Sequence, residues 1–333
     1  MKDVAKAAGV SVMTVSRALK KNSSISDVKR KQILSLIQEM NYVPDQMAGS
    51  LSSKKSGFVA ALLPSINNLH FAQTVQSLTK QLENSGLQLL LGYTDYSAEK
   101  EEKIVELMLR RRPEAIVLTY DGHTQRTRDL LENASIPVVE IWEQPKDPIQ
   151  HSVGFSNFDA AKKMTNTLID KGYKKIAFLG EADDFGTRGA ARRNGFISAM
   201  EDHGLSAERI VQFEAPPVTI GNGAIAAKSL LEKFPDVDCV FCVSDFAAFG
   251  VQSHFIKVGV NIPNDIAVVG FGDFEVSRYA LPSISTVKVD PILIGHQTGQ
   301  LICNILGYTG KKPEQFQHLD IHVEISLRES VKD

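Results

Sequence analysis

Asp3-Val-Ala-Lys-Ala-Ala-Gly-Val-Ser-Val-Met-Thr-Val-Ser-Arg17 is the stretch from which the rest of the chain is best read. Ala5 and Ala8 are small residues on one face of a short helix. Gly9 permits a tight turn after it, and Ser11 is placed to cap a second helix that opens at Val12. Two short helices joined by a glycine-containing turn make a helix-turn-helix, whose second helix projects its first turn outward. In such units that turn meets base edges in the DNA major groove. Taken alone, the stretch also reads as a plain amphipathic hairpin, so its surroundings decide.

The charge around it is one-sided. Residues 1–56 hold ten lysines and arginines against four aspartates and glutamates, a net of +6, although the whole 333-residue chain is at −2. The remainder therefore carries −8. A basic head on an acidic body is the electrostatic footprint of a module that contacts phosphates. Downstream, Ser26 reads as the N-cap of a third helix with Val28, Ile33, Leu36, Ile37 and Met40 at helical spacing, and Pro44 ends it. Residues 45–56 are small and polar like a linker. Met47, Ala48 and Leu51 nonetheless suggest a short helix there, which Gly49 and the serines leave marginal without a partner.

From Phe58 the pattern changes to apolar runs alternating with amphipathic helices. The runs fall at 58–64, 87–93, 115–120, 137–141, 175–180, 209–214, 239–244, 267–271 and 285–289. Apolar strands separated by helices indicate parallel sheets covered on both faces, and this number of strands indicates two lobes. The expected fold class is α/β: a helical head joined to a two-lobe core of parallel, doubly wound sheets. Ligands of such sheets bind beyond the carboxyl ends of the strands, which makes the cleft between the lobes the default site.

Composition sets further bounds. With 43% hydrophobic and 23% charged residues the chain reads as globular, no apolar run approaches the length of a membrane span, and no secretory signal is evident. A cytoplasmic protein with no membrane contact is expected. Cys239, Cys242 and Cys303 are an odd number, and the first two lie in one strand-like run on opposite faces, so buried structural thiols are expected. No P-loop, zinc-protease or nucleophile-elbow pattern is present, and Gly270-Phe-Gly272-Asp lacks the third glycine of a dinucleotide fingerprint. No catalytic residue, metal or cofactor is expected.

The motifs Asp3-Val-Ala, Gly9-Val-Ser11, Thr14-Val-Ser-Arg17 and Asn41-Tyr-Val-Pro44 resemble the lactose-repressor (LacI/GalR) family of bacterial transcription regulators. The likeness continues in order through Phe241-Cys-Val-Ser-Asp245, Pro263-Asn-Asp-Ile-Ala-Val-Val-Gly270-Phe-Gly-Asp273 and Pro282-Ser-Ile-Ser-Thr-Val287. Within the family, Met13-Thr-Val-Ser-Arg17, Leu63-Pro-Ser65, Pro137-Val-Val-Glu140 and Val153-Gly-Phe-Ser-Asn157-Phe are most similar to the gluconate-type repressors. The resemblance implies a DNA-binding head at 1–44, a hinge at 45–56 and an effector-binding, dimerising core at 57–333. It divides that core into one lobe of about 57–156 and 290–318 and another of 157–289 and 319–333.

On that resemblance, Val12, Met13 and Arg17 face base edges, Ser11, Thr14 and Ser16 hold phosphates, and the hinge residues Met47, Ala48 and Leu51 enter the minor groove. Arg17 has the fork for a bidentate contact to guanine, and Val12 or Met13 can meet a thymine methyl. A leucine wedge such as Leu51 kinks a duplex when two subunits act together. The effector positions implied are Ser65, His70, Phe71, Asn157, Arg188, Arg192, Asp245 and Asp273. Two arginines beside a carboxylate suit a ligand carrying both a carboxylate and hydroxyls, such as a sugar acid. Arg192 on a merely solvated helix face, and His70 as a simple rim residue, are the bland alternatives. Glu140 and Trp142 share a face of the fourth run and stay outside the implied set. The partners implied are palindromic operator DNA, a small sugar or sugar-acid effector, probed best with gluconate, and a second copy in a homodimer. Corepression in place of induction, and a solute receptor without DNA activity, are the rival readings.

Overall fold

The computed structural model describes residues 1–19, 24–43, 56–119, 122–181, 187–213 and 217–332. The chain divides into two compact units, Met1–Ser56 and Gly57–Asp333.

The first unit contains α1 (Lys2–Ala7), α2 (Val12–Ala18) and α3 (Asp27–Glu39). Gly9 turns the chain between α1 and α2 with φ +60°, in the left-handed region that glycine enters without a Cβ penalty. Ser11 caps α2 as expected, its side chain accepting from the Thr14 N–H. Ser26 stands at the N-cap of α3, but its side chain makes no capping bond there. Val4, Ala5, Val15, Ala18, Ile33 and Ile37 form a small buried core. Arg30 on α3 donates through Nε to the carbonyl of Ala18 at 3.1 Å, tying the third helix to the end of the second.

The second unit carries two six-stranded sheets. The first lobe is built from β1 (Phe58–Leu63), α4 (Leu69–Glu83), β2 (Gln88–Tyr93), α5 (Ala98–Arg110), β3 (Ile116–Thr119), α6 (Gln125–Asn133), β4 (Val138–Ile141) and β5 (His151–Gly154). The second lobe contains α7 (Asn157–Asp170), β6 (Ile176–Glu181), α8 (Arg188–Asp202), β7 (Ile210–Phe213), α9 (Ile220–Lys233) and β8 (Cys239–Cys242). It continues with α10 (Asp245–Val258), β9 (Ala267–Gly272), α11 (Glu275–Tyr279) and β10 (Ser285–Lys288). The chain then returns to the first lobe for α12 (Pro291–Ile305) and β11 (His318–Asp320), and ends in the second with β12 (Glu324–Ser326).

Strand order is β11-β5-β4-β3-β1-β2 in the first sheet and β12-β10-β9-β8-β6-β7 in the second. Every pairing is parallel except β10 with β12, which is antiparallel and corrects the expectation of wholly parallel sheets. The return to the second lobe falls after Asp320, two residues later than the sequence motifs implied. In each sheet the first strand lies between the next two in sequence, so β1/β3 and β6/β8 are switch points where a crevice opens.

Three strands escape an apolar-run search because polar residues fill them. In β5, His151 and Ser152 are buried only because they have partners: His151 Nδ1 accepts from the Gln317 N–H, and Ser152 donates to Gln144 Oε1. Conversely β2, apolar in sequence, is an edge strand with Leu90 and Leu91 exposed, so it is not covered on both faces as expected. The two lobes share one continuous apolar core, joined where Phe155 stacks near Phe271.

In the second lobe α9 and α10 meet with almost no space between backbones. A Cβ on Gly250 would lie 2.0 Å from the Ile220 carbonyl oxygen, and one on Gly223 would lie 2.2 Å from that of Ala247. Gly250→Ala is therefore expected to destabilise the protein by about 1–3 kcal/mol through overpacking, despite alanine's better helix propensity. Urea denaturation of the variant checks this, and an unchanged or raised midpoint contradicts it.

Candidate functional site

In the head, the residues of α2 sort by face. Val15 and Ala18 point into the small core, while Val12 is 41% and Met13 64% exposed. Arg17 is exposed and Ser16 half-buried on the same outer side. Met13 thus does not pack against α1. Ser11 Oγ and Thr14 Oγ1 lie 2.9 Å apart and both reach solvent. This helix offers two apolar contacts, three hydroxyls and one guanidinium on a single outward surface, the chemistry of a base-reading helix. Met47, Ala48 and Leu51 lie outside the described residues.

Between the lobes is a cavity of about 590 Å³ at the carboxyl ends of the strands. Ser65 follows β1, Glu181 ends β6, Ser244 follows β8, and Phe271 lies near the end of β9, so both switch points open into it. Helix α8 supplies the positive charge. Thr187 caps it by accepting from the Ala190 N–H, which places Arg188 and Arg192 one turn apart on the cavity wall. The Arg192 guanidinium lies 3.7 Å above the Phe271 ring, donates through Nη1 to the Val243 carbonyl, and donates through Nε to Asn157 Oδ1 at 2.8 Å. Arg188 lies 5.2 Å from the Phe71 ring. Such stacking holds a guanidinium plane in place and leaves its edge as the recognition element.

An acid and aromatic side chains complete the lining. Glu181 accepts a hydrogen bond from the Thr187 hydroxyl, and a Cβ on Gly189 would come within 2.6 Å of its carboxyl group. Trp142, with φ +72°, also lines the cavity and packs against His70 and Phe71. His70 of the first lobe stacks on Phe274 of the second at 3.7 Å and 11°. Burial, reinforced by the charge of Arg192, lowers the His70 pKa to about 4, so the ring is neutral at pH 7.

Ser65, His70, Phe71, Arg188 and Arg192 therefore come together around one cavity. Asn157, Asp245 and Asp273 do not line it; their polar atoms are engaged behind the wall. Asp245 is fully buried, accepts from Thr286 Oγ1 at 2.6 Å and from the Phe274 N–H at 2.7 Å, and burial raises its pKa to about 6. Asp273 is paired with Arg278 and Arg328; burial would raise its pKa, but those two guanidiniums hold it below the usual carboxylate range. Asn157 supports Arg192 from below. These positions follow the right strands, but a side chain at a strand end turns inward when a neighbouring loop offers donors. Glu181 and Trp142 complete the cavity instead. Glu181 could have been found as the residue just past an apolar run at a switch point.

A helix-turn-helix head and a two-lobed body with a polar cleft define a class: DNA-binding proteins whose binding answers to a small molecule. Residues 1–45 match the bacterial regulatory proteins of the lacI family, and residues 56–326 match the periplasmic binding proteins and sugar binding domain of the LacI family. The chain belongs to the LacI family, and it is a DNA-binding transcriptional repressor rather than an enzyme. It is 31% identical over 287 residues to the HTH-type transcriptional regulator GntR of Escherichia coli, covering 86% of each chain. It is 26% identical to the HTH-type transcriptional repressor PurR of Haemophilus influenzae, over 100% of this chain and 98% of that one. A crystal structure of a LacI family transcriptional regulator from Silicibacter pomeroyi superposes with a TM-score of 0.79 at 57% identity, covering 83% of this chain and all of that one.

Proposed function

We propose that this repressor controls a carbohydrate-utilisation operon and that a sugar acid, D-gluconate or a close relative, releases it from its operator. The observation that carries the reading is the pair Arg188 and Arg192 on one wall of a cavity that Glu181, Phe71 and Trp142 also line. The arginines suit a carboxylate, Glu181 accepts from hydroxyls, and the aromatic side chains give an apolar surface for the carbon skeleton. The similarity to GntR supports the same ligand class. The similarity to PurR supports a second reading, in which the effector is a different small molecule.

In this account Val12, Met13 and Arg17 read the operator, Ser11, Thr14 and Ser16 hold phosphates, and residues 45–56 act as the hinge. Two copies act together on a near-palindromic site in the cytoplasm. Exposed Leu90 and Leu91 on the β2 edge, with Tyr279 and Leu281 at 77% and 82% exposure, are apolar surface suited to a second copy. No helix of the described residues is long and apolar enough to cross a membrane. The effector releases DNA only to the extent that it binds one lobe arrangement more tightly than the other.

Trp142 is the only tryptophan in the sequence and lines the cavity, so its fluorescence reports binding directly. D-Gluconate is expected to change the emission saturably, while D-glucose, lacking the carboxylate, binds more weakly. Arg192→Ala is expected to raise the half-saturation by about 10–100-fold, the loss of a charged hydrogen-bond partner. A gluconate titration without response, or one indifferent to Arg192, contradicts the sugar-acid reading.

A further inference from the structure

Asn157 occupies a place that neither the DNA head nor the cavity accounts for. It is the first residue of α7, directly after the chain leaves β5 of the first sheet, and so stands on the first crossover between the lobes. Its side chain is fully buried. Nδ2 donates to the Trp142 carbonyl at 3.0 Å and to Glu143 Oε2 at 2.9 Å, and the backbone N–H donates to Glu143 Oε1 at 3.2 Å. Oδ1 accepts from Arg192 Nε at 2.8 Å. One face of this amide meets acceptors of the first lobe and the other meets a donor of the second, which also fixes which way the amide points.

We infer that Asn157 is a positioning residue that couples the ligand-facing Arg192 to the Trp142–Glu143 segment of the opposite lobe. The inference rests on the cleft being the effector site. The segment it holds has little freedom. Trp142 carries a left-handed backbone, and a Cβ on Gly154 would lie 2.5 Å from the Glu143 nitrogen. Movement of the guanidinium on binding a ligand carboxylate is therefore passed through the amide to the first lobe, as well as through the backbone crossover. Only a side chain with a donor and an acceptor on one short planar group serves both partners. Aspartate keeps the acceptor for Arg192 but loses the side-chain donor to Glu143 and the Trp142 carbonyl.

That asymmetry gives a specific test with Asn157→Asp. The new carboxylate would face Glu143, whose own pKa burial raises, with Arg192 and Arg188 as the nearby cations, and the Trp142 carbonyl and Gln144 N–H as polar neighbours. Where both carboxylates are ionised they repel, a state that rising pH favours. As pH falls, the pair takes up one proton, and the resulting O–H restores a donor between them. The probe is D-gluconate and the readout is Trp142 emission. The ratio of half-saturation, N157D over the unaltered protein, is expected to be raised at pH 8 and to be at least threefold smaller at pH 5.5. Asn157→Leu, which cannot regain a donor, is expected to stay above tenfold at both. A ratio for N157D that is near one at pH 8, or equally raised at both pH values, overturns the inference.

A second arm needs no ligand, so it separates failure of this coupling from failure of the gluconate reading. Thermal unfolding is compared for N157A, R192A and the double variant at pH 8. Coupled residues are expected to give a double-variant Tm loss at least 2 °C smaller than the two single losses together. Additive losses overturn the inference whether or not gluconate binds. If N157A does not fold, N157D with R192K replaces it in the same cycle.

Discussion

Replacing Arg17 with alanine is expected to weaken operator binding by about 30-fold to more than 1,000-fold while leaving the fold intact. Arg17 is exposed on the outer face of α2, so its removal disturbs none of the core formed by Val4, Val15 and Ile33. A bidentate arginine contact to a guanine is worth about 1–3 kcal/mol. In a dimer on a near-palindromic site the loss occurs twice, giving about 2–6 kcal/mol. A loss of that kind concentrates at one position of each half-site. A phosphate contact such as that assigned to Ser16 costs affinity on every sequence alike. Anisotropy measurements on the operator and on half-site variants separate the two. An R17A protein that binds operator as well as the unaltered chain would remove the base-reading role from this helix.

The second large effect lies away from both sites, in the first lobe. His123 is buried between two carboxylates, with Nδ1 2.6 Å from Glu101 of α5 and Nε2 3.3 Å from Glu140 of β4. Burial alone would lower its pKa, but hydrogen bonds and charge from both glutamates raise it to about 9. Glu140 also accepts from the Ile149 N–H at 2.6 Å, so the cluster fastens the loop after β4. A folded pKa near 9 against an unfolded value near 6.5 means that the imidazolium stabilises the fold fully below pH 6.5. That contribution, about 3 kcal/mol, declines as pH rises through 9. His123→Ala removes the cation and leaves two buried carboxylates facing each other, which is expected to cost about 3–5 kcal/mol near pH 6.5. Urea denaturation from pH 6.5 to 9.5 should show the unaltered protein losing stability with a slope that H123A lacks. Equal slopes would mean that His123 is neutral throughout.

Much of the architecture was legible because each reading rested on a strong local signal. The Gly9 turn and the Ser11 cap follow from local turn and capping arguments, whereas an outward Met13 was implied only by the family resemblance. The apolar strands read well where they are central and buried on both faces, as in β3 and β8. Edge and end strands did not read, since His318–Asp320 and Glu324–Ser326 have no apolar run to detect and are held by pairing alone. The cleft was legible to the level of its elements. Arg188 and Arg192 reach the cavity because a helix places residues four apart on one face. Asp245, Asp273 and Asn157 lie near it but were drawn inward by Thr286, Arg328 and Glu143, partners brought from distant parts of the chain. No spacing within a single sequence reveals such long-range partners, and the same holds for Glu101 and Glu140 around His123.

Operator binding by the head is proposed to answer to a sugar acid in the cleft. The most direct test of this is fluorescence anisotropy of the full-length protein on labelled DNA from upstream of its own gene neighbourhood, titrated with D-gluconate. Tight binding that D-gluconate reverses, with the reversal weakened in Arg192→Ala, is the result this account predicts. Tight binding that is indifferent to gluconate, or strengthened by it, would contradict release by a sugar acid.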